Sequence, residues 1–147
     1  MKRRDAREAA FLLIFEKSFR KEPMDELIAL AVECRALELN DYARRLVLTA
    51  DEKEAELDQN IEKYLSNWKI NRLARVTLAV LRLAICELSY FPDIPVRVTI
   101  NEAIELAKKY ATENDASYIN GVLGSFVKEA APVKNKEADE NESCADI

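Results

Sequence analysis

Histidine is absent from this chain. That removes the commonest general base, the usual zinc ligand and every Ser/His or Cys/His nucleophile arrangement. Glycine is nearly absent as well: Gly121 and Gly124 are the only two in 147 residues. Most of the chain therefore has no need of positive φ or tight hairpin turns, and an all-helical fold is expected. Three cysteines, Cys34, Cys86 and Cys144, are scattered without CxxC spacing, which argues against a disulfide framework or a zinc site. Cys34 and Cys86 read as small core residues. There is no glycine-rich phosphate loop, so no cofactor or metal is expected and catalysis is the weaker reading. No stretch reaches the roughly 18 uncharged apolar residues of a membrane span, and MKRRDARE leads into a segment with Glu16 and Lys17 rather than a cleavable apolar core. A cytoplasmic protein is the expectation.

What is present is the balance of a folded domain, 49% apolar and 33% charged, and the length suits one hydrophobic core rather than two. The net charge of −5 is unevenly spread. Residues 1–21 hold seven Lys/Arg against three acids, a net of +4, whereas residues 134–147 carry a net of −3. A basic end on an acidic body suggests one local anionic partner rather than general adhesion to nucleic acid.

Helical spacing is legible almost throughout. From Arg3 to Phe19, Ala6, Ala9, Ala10, Leu13 and Ile14 share one side, widened by Phe11 and Phe15. Lys2, Arg3, Arg4 and Arg7 crowd the start, where they oppose the helix macrodipole. Pro23 suits the first turn of a second helix, and Asn40 or Asp41 can cap a third that runs as one long helix to Trp68. Thr49 with Glu52 leaves a division of that stretch open. Asn71 is the expected cap of the next helix, which is apolar on most sides and so central. FPDIP (Phe91–Pro95) breaks it. Thr99 with Glu102 has capping-box spacing and is expected to start a helix reaching about Ala111. Asn114 or Asp115 caps the last helix and Pro132 ends it. The expected architecture is all-α, a bundle of six to seven helices in two packed subbundles over residues 1–133, dividing at FPDIP or near Asn40. Residues 134–147 should form an acidic disordered tail.

Four blocks occur in order: ARE at Ala6–Glu8, WKINRLARVTLAVLRLAICEL at Trp68–Leu88, INEAIELAKKY at Ile100–Tyr110, and YINGVL at Tyr118–Leu123. Together they resemble the NusB family of bacterial transcription antitermination factors over about residues 3–133. The resemblance implies an RNA-binding protein without catalytic activity. It would bind the boxA element of ribosomal RNA leader transcripts as single-stranded RNA, together with the small-subunit ribosomal protein NusE. The pair would help the RNA polymerase elongation complex read through terminators. It also implies an RNA site of Lys2, Arg3, Arg4 and Arg7, with Lys108, Tyr118 and Asn120 in the family's closing blocks. Arg4 and Arg7 lie at i and i+3 on one face, where both could reach phosphates. Asp5 departs from a uniformly basic run and lowers the local field.

Several residues carry two readings. Phe15 and Tyr118 are candidates for stacking on unpaired bases, but an aromatic at helical spacing, Phe15 above all, more often belongs to the core. Asn120 either hydrogen-bonds a base edge or caps a neighbouring helix, and Gly121 suggests close helix approach. A basic ribosomal partner asks for an acidic surface, for which Glu87, Glu102 and Glu105 are the candidates. The rival reading is a helical protein-interaction adaptor that binds no RNA, and a homodimer stays open.

Overall fold

The computed structural model describes residues 2–65 and 69–130. Among them are seven α-helices and one 3-10 turn, with no strand: α1 Arg3–Lys17, α2 Met24–Arg35, α3 Asp41–Glu52, α4 Glu54–Lys63, the turn Ile70–Arg72, α5 Arg75–Tyr90, α6 Val96–Tyr110 and α7 Glu113–Ala130. Trp68, Pro132, Cys144 and the expected tail at 134–147 lie outside the described residues.

The all-α expectation holds, and α5 is the central helix. It packs against α1, α3, α4, α6 and α7. Its fully buried Leu81, Ile85 and Leu88 meet Phe11 and Leu13 of α1, Leu46 of α3 and Ile119 and Leu123 of α7 in one continuous core. The core is thus shared by helices on both sides of Asn40 and on both sides of FPDIP. Phe91 and Ile94 of the FPDIP segment are buried, which anchors the turn between α5 and α6.

Local chemistry explains most helix ends. Asn40 caps α3 as its sequence suggests, its side-chain oxygen accepting from the Ala43 N–H at 2.8 Å. Pro23 precedes α2, whose first turn carries Asp25 and Glu26 on the favourable side of the dipole. Helix α2 stops at Ala36, which adopts a left-handed backbone at φ 52° and lets the Leu37 N–H donate to the Ala31 carbonyl at 3.0 Å.

Other ends differ from expectation. The long third helix is interrupted at Lys53, whose φ of −99° and ψ of 14° leave the helical region. Without Gly or Pro, packing is the cause. The break lets α3 lie on α1 and α5 while α4 turns onto α5, where Arg82 grips Asp58 at 2.8 Å and Glu54 at 3.1 Å. Asn71 caps nothing, because it lies within the 3-10 turn and α5 starts four residues later. Helix α6 begins at Val96, directly after Pro95, so Thr99 and Glu102 are already inside it and serve other purposes. At α7 the capping box is Thr112 with Asp115. The Thr112 hydroxyl accepts the Asp115 N–H at 3.1 Å, and the Asp115 carboxylate accepts the Thr112 N–H at 3.2 Å. Cys86 is buried, but Cys34 is exposed, so only one of the two is a core residue. Gly121 is exposed, and a Cβ there would meet no atom within 4 Å, so close helix approach is not its role.

Candidate nucleic-acid interface

The start of α1 lies between α3 and α6, and its arginines go three different ways. Arg4 reaches α6, where Glu102 takes it in a two-pronged pair, Nε–Oε1 3.0 Å and Nη2–Oε2 2.8 Å. Its side chain keeps 71% exposure, so the pair is open to solvent. Glu102 accordingly holds the Arg4 guanidinium above its ordinary pKa. Arg3 turns the other way, its guanidinium 4.3 Å from the centre of the Tyr42 ring on α3.

Arg7 points inward, contrary to the expectation that it meets phosphate. It is 5% exposed and donates through Nε to both oxygens of Glu87, at 3.0 and 2.8 Å. Glu87, 1% exposed, also accepts from the Tyr42 hydroxyl and, at 2.6 Å, from the Thr99 hydroxyl. One carboxylate thus joins α1, α3, α5 and α6. Burial first, and then the bond to Glu87, push the Tyr42 phenol above its usual pKa range. A buried ion pair needs such added donors, because desolvation otherwise exceeds the Coulomb gain. Glu87 therefore belongs to no exposed partner surface, and Arg7 is a structural residue. The spacing held the clue: Arg7, Phe11 and Ile14 fall at i, i+4 and i+7, on the buried stripe.

Between α1 and α6 is a cleft of about 410 Å³ lined by four cations, Arg4, Arg7, Lys108 and Lys109, and three carboxylates, Glu8, Glu102 and Glu105. Glu102 and Glu105 thus stand among the cations rather than on a separate acidic face. Glu8 accepts from Lys109 and from the Tyr110 hydroxyl, and these two bonds hold its carboxyl below the usual range. Sequence reasoning missed Glu8, Lys109 and Tyr110, although Lys109 and Tyr110 close the INEAIELAKKY block.

Lys108 also borders a shallower groove of about 300 Å³ toward α7, lined further by Ile104, Glu113, Ala116, Ser117 and Asn120. Lys108 and Asn120 are therefore brought together, next to the Arg4 cleft. Asn120 is exposed in mid-α7, beside Lys108 of the last turn of α6. Tyr118 is half-buried and lines a different depression, with Arg72, Leu73, Ala74, Thr77, Asn114 and Asp115. It does not share a groove with Arg4 and Lys108. Phe15 is half-buried in an aromatic row along α1, 6.0 Å from Phe11 and 5.0 Å from Phe19, which suits its core reading.

The NusB family model matches residues 4–128, nearly the whole described chain. This chain belongs to the NusB family. Among similar proteins, the transcription antitermination protein NusB of Natranaerobius thermophilus is 45% identical, covering 84% of this chain and 92% of the relative. That of Acetivibrio thermocellus is 43% identical over 97% of each. The solved NusB of T. maritima is 38% identical and superimposes with a TM-score of 0.82 over 95% of this chain and 98% of that one. A NusB chain solved with NusE and double-stranded RNA is 36% identical, with a TM-score of 0.77 over 86% of this chain and 96% of that one. The fold that holds the α1–α6 cleft is thus the all-helical NusB fold. No helix among the described residues is long and apolar enough to cross a membrane.

Proposed function

We propose that this chain is a non-catalytic antitermination factor that binds boxA of ribosomal RNA leader transcripts jointly with NusE and helps the RNA polymerase elongation complex read through terminators in the cytoplasm. The observation that carries the reading is the solved relative, at 36% identity, held with NusE and RNA. The geometry supports it. Lys2, Arg3, Arg4 and Lys108 are exposed cations around the start of α1 and along α6, and Asn120 adds a side-chain amide able to read a base edge beside Lys108. With about three phosphates neutralised on single-stranded RNA, the salt slope for this protein alone is about −2. The near balance of charge in the Arg4 cleft makes its own affinity weak, and a partner that adds contacts to the same RNA compensates.

The test is a titration of boxA RNA against scrambled RNA, with and without NusE. Selective binding that tightens tenfold or more with NusE, about 1.4 kcal/mol, is expected. Equal affinity for the two RNAs under both conditions overturns the reading in favour of a protein-interaction adaptor.

A further inference from the structure

Most arginines seated against other elements of the fold meet a carboxylate: Arg4 on Glu102, Arg7 on Glu87, Arg35 on Glu16 and Arg82 on Asp58. Arg3, Arg45 and Arg75 do not; Arg75 lies 4.5 Å from the centre of the Phe19 ring, beyond the far end of α1 from Arg3. Arg3 lies 4.3 Å from the centre of the Tyr42 ring, and Arg45 lies 4.8 Å from the centre of the Phe91 ring. The two rings meet edge to face at 5.4 Å. Tyr42 and Phe91 are buried, so the row has an apolar floor with both guanidiniums on its exposed side. Neither arginine has an ion pair among the described residues.

The physical difference matters. A carboxylate both positions and neutralises an arginine, whereas a ring face positions it and leaves its charge and its donor edge available. The rotamer entropy of the long side chain is partly spent before any ligand arrives, and Tyr42 is itself fixed by its bond to Glu87. Planar, uncompensated guanidiniums suit phosphate oxygens, and they also stack on unpaired bases. Arg3 and Arg4 are consecutive, so the row begins where the Arg4 cleft ends, on the α3 side of α1.

We propose that the Arg3–Tyr42–Phe91–Arg45 row is a second RNA subsite, which receives the single-stranded nucleotides flanking boxA on one side. The inference rests on the RNA-binding reading above and extends the path from the α1–α6 cleft onto α3. Arg45 is its distinguishing residue, since Arg3 serves both segments.

The test uses the full chain in complex with NusE and three fluorescent RNAs: boxA alone, boxA with six uridines added at the 5′ end, and boxA with six added at the 3′ end. One extension, and not the other, should tighten binding severalfold. Arg45→Ala should abolish that gain and lower the salt slope on the extended RNA by about 0.7, with binding of unextended boxA unchanged. Arg45→Gln, which keeps the aliphatic cover over Phe91, should behave as Arg45→Ala does, and Arg45→Lys should restore part of the gain. No gain from either extension, or a gain that survives Arg45→Ala and Arg45→Gln, overturns the subsite. Failure of unextended boxA to bind selectively would instead strike the underlying reading.

Discussion

Replacing Arg7 with alanine should unfold the protein more readily without touching its phosphate contacts. The Arg7 side chain is 6% exposed and that of Glu87 1%, with 2.8 Å between Nε and Oε2. Removing the arginine leaves a carboxylate in the core that keeps the Tyr42 and Thr99 hydroxyls as donors but loses its counter-charge. Breaking one side of a buried pair costs about 3–5 kcal/mol. For a chain of this size that corresponds to a fall in Tm of roughly 10–15 °C. Urea and thermal denaturation followed by circular dichroism measure both. The double variant Arg7→Met/Glu87→Met removes the orphaned charge, and at least half the loss should return. Full recovery is not expected, because the two hydroxyls lose their acceptor at about 1 kcal/mol each. Below its melting range, Arg7→Ala should keep the salt slope of RNA binding, whereas Arg4→Ala should lower the slope by about 0.7. A loss of stability under about 1 kcal/mol in Arg7→Ala, or a flattened salt slope in the folded variant, would refute the assignment of Arg7 to the interior.

Three further outcomes are expected. Gly121→Ala, in mid-helix with open space around the added methyl, should stabilise the protein by about 1 kcal/mol in urea denaturation. Glu8, whose folded pKa lies below its ordinary 4.5, adds stability that is complete above pH 4.5 and is lost as pH falls through its folded value. Glu8→Gln should therefore flatten the acid limb of a stability-versus-pH profile there and leave its slope near pH 8 unchanged. In a Cys144→Ser background, Cys34 should react with a thiol reagent in the native state. Cys86, buried and pushed up to about 12 by burial and by the Glu87 charge, should react only on unfolding.

Features fixed by neighbours in sequence were legible, and features fixed by tertiary packing were not. Asn40 caps α3 because its acceptor needs only the next few residues, and FPDIP ends α5 because proline acts locally. The T-x-x-E pattern at Thr99 and Glu102 has the composition of a cap, but Pro95 starts the helix earlier. Thr99 then becomes a buried donor and Glu102 a partner for Arg4. Thr49 with Glu52 left a division close by open, but nothing local marks Lys53 itself as the break, because the direction of α4 is set by where α5 lies. In the candidate interface, Lys2, Arg3, Arg4, Lys108 and Asn120 showed their exposure in the sequence, as polar residues off the apolar stripes. Arg7 and Glu87 did not, since a charged residue on an apolar stripe shows its destination only when its counter-charge, 80 residues away, is placed. Arg45 gave no signal at all, because its significance depends on the ring of Phe91 beneath it.

The Arg4–Glu102 pair makes the α1–α6 cleft an ion exchanger. An incoming phosphate there must replace a carboxylate that already satisfies both prongs of the guanidinium, so a single phosphate gains little over the anion it displaces. Free phosphate, nucleotides and short oligomers are thereby disfavoured. A strand that engages several cations together is less affected, because its other contacts offset the one exchange, and binding should fall away with RNA length more steeply than the number of lost contacts would suggest.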